Sequence, residues 1–351
     1  MHPSPEPFWS EVQALVGRAA SLDDLRAHGL HLMAPWAWSC IGRAVPEDLA
    51  DEQRAMAMIQ MASAEVLRRV RAVADGPLLL FKGAEVAARY PDPLWRVFGD
   101  IDLIAPDPVA VQQSLLDAGF VPAGISDDYY DELHHLQPVA LPGLSILVEV
   151  HRRPTWPEWF PEPSVSELIE RAVLSETQVD GLLTLEPADH ALILAAHAWE
   201  GAPLGRARDL VDISLLAEEA GRDRVSARAE ELEIARLWRT TIAAADALFS
   251  PAVDNPLPVW ARSLSTARDV TVFGNHVKRW ISPFWSMPPG RALRAGLVNA
   301  ARDALPAGGG ESWRAKVVRS WRAIRNAFRP KLHHEREIGD EARRPPRRTR
   351  F

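Results

Sequence analysis

The sequence predicts an α+β fold: a small mixed or antiparallel sheet with flanking helices, embedded between N-terminal and C-terminal helical regions. Three observations lead there. Through residues 7–75, apolar residues recur at helical spacing. Over 77–153 the pattern changes to short apolar runs broken by Pro and Gly, such as "PLLLFKG" and "DIDLIA". From about residue 163 the helical period returns. The expected divisions are a helical region at 1–76, a compact core at 77–155, a helical domain at 156–330 and a disordered basic tail at 331–351. A chain of 351 residues is long enough to bury the core such a plan needs.

In chain order, "FWSEVQALVGRAA" places Phe8, Val12, Leu15 and Val16 on one helical face, and Ser21 is a natural N-cap for the next helix. "DEQRAMAMIQMASAEVLRRVRAVADG" is rich in good helix formers and stops at Gly76. "PLLLFKG" reads as a strand, "AEVAARY" as a short helix, "YPDPLWRVFG" as a proline-held loop and "DIDLIA" as a second strand. Asp107 before Pro108 opens a helix that closes at Gly119. "HHLQPVALPGLSILVEVHRRP" reads as a hairpin around Pro142-Gly143, with Pro138 placing its first strand at an edge. Beyond it, "EPADHALILAAHAWEG", "GRARDLVDISLLAEEAG" and "RAEELEIARLWRTTIAAADALF" are three helices, with Gly201 and Gly221 as stops. Residues 250–290 are broken by prolines, and "ESWRAKVVRSWRAIRNAFRP" is a further helix.

Composition narrows the function. A net charge of -7 argues against a general nucleic-acid binder. A single cysteine, Cys40, rules out an intramolecular disulfide framework and a cysteine-only metal site, and fits a reducing cytoplasm. No apolar run approaches the roughly 20 residues that cross a bilayer. No secretory signal pattern is expected in "MHPSPEPFWSEVQ". Most of the 13 tryptophans are expected to serve packing.

The chemistry concentrates in "DIDLI" and "LSILVEVH". Residues two apart in a strand share a face, so Asp100 and Asp102 point together while Ile101 and Leu103 point into the core. Adjacent carboxylates repel unless a positive charge sits between them. Oxygen ligands of this kind suit Mg²⁺ or Mn²⁺, and Mg²⁺ favours one or two carboxylates together with substrate phosphates. Glu149 and His151 share a face by the same alternation. If their strand lies beside "DIDLI", Glu149 is a third acid on the metal face. Three carboxylates can hold two metals, or one metal plus a general base. Upstream, the Lys82-Gly83 turn lets backbone N–H groups approach phosphate and opens a helix whose N-terminus favours anions. The competing reading of Asp100 and Asp102 is a solvated edge or a structural cation site.

"FKGAEVAARYPDPLWRVFGDIDLI", "LLDAGF" and "VEVHRRP" together resemble the nucleotidyltransferase superfamily with a polymerase-beta-like catalytic fold. Within it they look most like a bacterial family of uncharacterised nucleotidyltransferases. The resemblance covers about residues 75–155 well and the following helices more loosely. It implies that Asp100 and Asp102 bind Mg²⁺, that Glu149 is the third carboxylate, and that Lys82 and Gly83 face the triphosphate. Two departures stand out: Ala84 follows Gly83 where the wider superfamily carries a small residue, often serine, and the spacer from Gly83 to Asp100 is longer than usual.

Other candidates each have a plainer reading. Arg96 either neutralises a triphosphate oxygen or pairs with Asp92. His151 either contacts the acceptor or a phosphate, or is a satisfied structural histidine. Arg208 and Asp212, four apart, are either a helical ion pair or part of a wall closing over the nucleotide and acceptor. His134-His135 is a weak zinc signal, and His190 and His197, seven apart, favour core hydrogen bonding. Helix 312–328 sets Trp313, Val317, Trp321, Ile324 and Phe328 near one face, with Arg319, Arg322 and Arg325 largely elsewhere. It suits packing, or peripheral contact with a membrane or protein.

The expected activity is Mg²⁺-dependent (or Mn²⁺-dependent) transfer of a nucleoside monophosphate from an NTP, with ATP the expected donor, to an acceptor hydroxyl on a small molecule, peptide or protein. Pyrophosphate is released, and no specific nucleic-acid partner is expected. The alternative is a catalytically silent protein of the same fold that uses its basic amphipathic C-terminal helix to bind a partner, membrane surface or RNA.

Overall fold

Helical spacing becomes helix at the N-terminus of the computed structural model, which describes residues 6–124, 130, 133–200, 203–250, 280–306 and 312–326. Helix α1 (Glu6–Gly17) buries Phe8, Val12, Leu15 and Val16. Helix α2 (Leu22–Ala27) is capped by Ser21, whose hydroxyl accepts from the Asp24 N–H. After α3 (Ala34–Ser39), the long α4 (Leu49–Val73) lays Met56, Val66, Leu67 and Val70 on the core, and α5 (Ala84–Ala87), α6 (Pro108–Asp117) and α7 (Val165–Glu170) lie between the strands that follow.

The sheet has seven strands: β1 (Leu79–Leu80), β2 (Asp100–Ile104), β3 (Val121–Pro122), β4 (Val139–Ala140), β5 (Leu147–His151), β6 (Val173–Leu174) and β7 (Leu183–Thr184). Their spatial order is β3-β4-β5-β2-β1-β7-β6. The pairs β2–β5 and β1–β7 are parallel and the rest antiparallel, so the sheet is mixed. Ile101, Leu103, Val148 and Val150 are fully buried in the central pair, which anchors its register.

Several elements differ from the sequence reading. Strand β4 is not an edge, because β3 pairs outside it; Pro138 sits just before the strand, and its carbonyl accepts from the Ala123 N–H. The hairpin β6–β7 extends the sheet from a segment read as helical, each strand being too short to display alternation. The single helix read over 228–249 is two, α10 (Arg222–Glu231) and α11 (Ala235–Phe249). The break is local: Glu233 takes a φ of 56°, and the Ile234 N–H turns back to the Ala229 carbonyl, burying Ile234.

Two helices close the core behind the sheet. In α8 (Pro187–Trp199) every residue from Ala188 to Ala196 is buried, as expected of a helix apolar all round. It packs most heavily against α9 (Ala207–Ala220). Buried side chains from both helical regions and the sheet form one continuous cluster. Helix Trp313–Asn326 contrasts with this: Trp313, Val317 and Trp321 are each more than 60% exposed, so packing is not their role among the described residues. Among the described residues no helix is long and apolar enough to cross a membrane. Gly201, most of 250–290, Phe328 and the tail at 331–351 lie outside the described residues.

Candidate functional site

The parallel pairing of β2 with β5 assembles the site. Its register sets Asp102 opposite Glu149, Asp100 opposite Leu147 and Ile104 opposite His151. Opposed residues in a pleated sheet share a face, so Asp100, Asp102, Glu149 and His151 lie on one side. Asp102 is 2% exposed and His151 fully buried, whereas Asp100 and Glu149 are half-buried at the open end. Ligand atoms of Asp102, Glu149 and His151 fall within 4.8 Å of one another, a set that can hold a metal ion. Asp100 stands outside that tight set, at the start of β2.

The antiparallel neighbour β1 delivers the positive charge. Lys82, just past its end, sets Nζ 3.2 Å from Asp102 Oδ1. His151 Nε2 lies 3.0 Å from the same oxygen and 3.7 Å from Glu149 Oε2. Burial opposes ionisation of Asp102, but Lys82 and the His151 hydrogen bond outweigh it and hold the carboxyl well below the usual carboxylate range. His151 is pushed up by its bonds to Asp102 and Glu149 against the opposing effect of burial. Asp100 goes the other way: the Asp102 charge, then burial, then Glu149 raise it to about 6. Two neighbouring carboxylates thus hold protons very differently, the strain a bound cation would relieve.

This has a measurable consequence for the metal-free chain. Because Asp100 binds its proton more tightly folded than unfolded, its favourable contribution is complete below about pH 4 and lost as pH rises to about 6. At about 1.4 kcal/mol per pH unit the loss approaches roughly 3 kcal/mol. In EDTA, Asp100→Asn should therefore be more stable than wild type by about that amount at pH 7.5, and by about half of it at pH 5. Urea unfolding at the two pH values measures this; a pH-independent difference would contradict it.

Gly83 adopts φ 53°, where L-residues are strained, and a Cβ there would stand 2.7 Å from the Asp100 carbonyl oxygen. The Lys82-Gly83 turn is therefore pressed against the start of the acidic strand. The helix it opens, α5 (Ala84–Ala87), is only four residues long, too short for a useful macrodipole. Any phosphate contact must come from the turn itself and from Lys82.

The remaining candidates are placed as follows. Arg96 is 5% exposed and pairs with Asp212, not Asp92: Nε and Nη2 reach the carboxylate at 2.9–3.1 Å. Its Nη1 donates to the Gly83 carbonyl at 3.0 Å. Asp212 also accepts from the Tyr90 hydroxyl at 2.7 Å, and burial followed by the Asp212 charge pushes that hydroxyl well above its ordinary pKa. Arg208 does not pair with Asp212; its Nη1 donates to the Val97 carbonyl at 3.0 Å. Arg96, Asp212 and Arg208 thus brace the loop leading into Asp100. His190 is a core histidine, its Nε2 2.6 Å from the Phe81 carbonyl, and burial keeps it neutral, down at about 3.

Histidines also crowd the acidic face. The ring centroids of His134 and His135 lie 5.1 and 5.4 Å from that of His151, and His135 Nε2 is 3.8 Å from Glu149 Oε2. His134 and His197 are both pushed down to about 3, first by burial and then by nearby cations. The sequence presented His134-His135 only as an adjacent pair; the isolated bridge from His135 to His151 brings it to the strand of Glu149. Tyr90 lies in the stretch that carries the family resemblance, but nothing in its spacing marks it as a partner of Asp212. A separate cleft of about 440 Å³ is lined by Trp9, Trp36 and Trp95 and by none of Asp100, Asp102 and Glu149.

A family model described as uncharacterised nucleotidyltransferase matches residues 24–250, more than half of the chain. No curated protein and no solved structure matches.

Proposed function

The chain belongs to the uncharacterised nucleotidyltransferase family, and on that premise we propose that it moves a nucleoside monophosphate from an NTP to an acceptor hydroxyl. The observation that carries this reading is the pairing of Asp102 with Glu149 across β2 and β5, with Lys82 alongside. The donor set fits a divalent cation: buried and half-buried carboxylates on one face, two of them with oxygens within 4.8 Å of each other. Asp102 and Glu149 would hold it, with Asp100 at the open end. When bound, the cation would neutralise triphosphate charge and make the acceptor hydroxyl more acidic.

The chain's own groups supply the rest. Lys82 and the Gly83 turn would orient the triphosphate against the carboxylates, and Arg96 would hold that turn through the Gly83 carbonyl. Glu149, half-buried and opposite Asp102, is the candidate to take the acceptor proton. The acceptor oxygen forms its bond to the α-phosphorus while the bond from that phosphorus to the bridging oxygen breaks, and pyrophosphate leaves. ATP is the proposed donor and a cytoplasmic setting the proposed location. The acceptor is a hydroxyl on a small molecule, peptide or protein. The exposed Trp313, Val317 and Trp321 favour a second property, peripheral contact with a membrane or protein through that helix.

Equilibrium dialysis with each α-labelled NTP tests the reading. Binding should tighten at least about tenfold with Mg²⁺ or Mn²⁺, and label should pass to a hydroxyl acceptor in a mixed extract. NTP binding indifferent to divalent cations would overturn it.

A further inference from the structure

We propose that His151 is itself a metal ligand, so that Asp102, Glu149 and the His151 imidazole select a first-row transition metal over Mg²⁺. The inference rests on the reading above that this acidic face holds a cation; what it adds is a nitrogen ligand and the metal class that follows.

The geometry points to His151 rather than Asp100 as the third inner group. The ligand atoms that approach within 4.8 Å are those of Asp102, Glu149 and His151. Two ligands each about 2.1 Å from one ion stand about 3.0 Å apart at an octahedral right angle and about 3.4 Å apart at a tetrahedral one. His151 Nε2 is 3.0 Å from Asp102 Oδ1 and 3.7 Å from Glu149 Oε2, so each of its two pairings comes within a few tenths of an ångström of a shared ion's geometry. The imidazole is held for the purpose: His151 is fully buried at the end of β5, its ring edge-on to Phe81 at 5.1 Å. Its backbone lies opposite Ile104 on one side and bridges His135 on the other. Its Nδ1 is buried with no hydrogen-bond partner among the described residues, so packing and the Asp102 contact are what fix the ring.

Ligand chemistry then sets the metal. Carboxylate and water suit Mg²⁺, whereas imidazole suits iron, nickel, copper and zinc, and affinity rises along the first row from manganese to copper. One nitrogen among two carboxylates moves the site towards that group. His135 Nε2 also approaches Glu149 Oε2, at 3.8 Å, but neither His134 nor His135 joins the group whose ligand atoms all lie within 4.8 Å of one another, so they surround His151 without standing in its place.

Co²⁺ is the probe, added to the full metal-stripped chain. Bound Co²⁺ should produce a paramagnetically shifted, exchangeable imidazole N–H proton signal, split when histidine is labelled with ¹⁵N. His134→Gln and His135→Gln should keep the signal. His151→Asn should lose it and bind Co²⁺ at least about tenfold more weakly, a larger loss than the same change causes for Mg²⁺. Should His151→Asn not fold, the labelled wild type and the two neighbouring variants still decide. Co²⁺ bound without a shifted imidazole proton overturns the inference, while Mg²⁺-dependent NTP binding in the same preparation would leave the transferase reading standing. Failure of the wild type to bind any divalent cation overturns both.

Discussion

Asp102→Asn should lower nucleotidyl transfer on the order of a thousandfold while leaving the chain folded. The side chain is 2% exposed, and one of its oxygens meets both Lys82 and His151. Asparagine keeps the shape but removes the charge that both partners face and that a cation would need. The lost ion-pair energy is partly offset, because the Asp102 charge is the largest cause of the raised Asp100 pKa, and that pressure disappears with it. The variant should therefore be weakened less in stability than in activity. Label transfer under single-turnover conditions, with thermal unfolding of the same preparation, separates the two. A folded variant that transfers at the wild-type rate would remove Asp102 from the chemistry.

The second large effect lies away from the acids. Asp212→Ala should cost about 3–5 kcal/mol, because it strands the Arg96 guanidinium without its counter-charge in a buried setting. Arg96 is 5% exposed, and the Tyr90 hydroxyl loses its acceptor in the same step. Replacing both charges, as Arg96→Met with Asp212→Leu, should recover a large part of that loss, since a well-packed apolar pair is often as stable as a buried ion pair. Urea denaturation midpoints of the single and double variants measure the difference. If the double variant is no more stable than Asp212→Ala, the uncompensated charge is not the cause. Even a stable double variant should transfer more slowly, because the Gly83 carbonyl has lost the guanidinium that holds it.

The acidic face is legible in the sequence because strand periodicity is strict. Asp100 and Asp102 share a face by spacing alone, and Glu149 joins them once β5 is paired with β2. The pairing itself is not legible, since no local signal says which strand is neighbour to which. Arg96 shows the limit most clearly. The sequence offers Asp92 as a partner four residues away, whereas the structure supplies Asp212 from 116 residues away. Similarly, Arg208 and Asp212 have ideal helical spacing, yet each has a longer-range partner, part-buried for Arg208 and buried for Asp212, and tertiary contacts outrank a surface pair worth a few tenths of a kcal/mol. The strands β6 and β7 are hidden for a different reason, being two residues each and held by the existing sheet edge rather than by propensity.

The link from Arg96 through Asp212 bears on biogenesis. As the polypeptide leaves the ribosome, the acid-bearing strands emerge well before the carboxylate that neutralises Arg96, and at ordinary synthesis rates, about 5–20 residues per second, the wait lasts several seconds. Throughout that interval the nascent phosphate turn lacks its brace. A braced centre therefore forms only after α9 has been made, so a product that ends between β5 and α9 should transfer far more slowly than the whole chain.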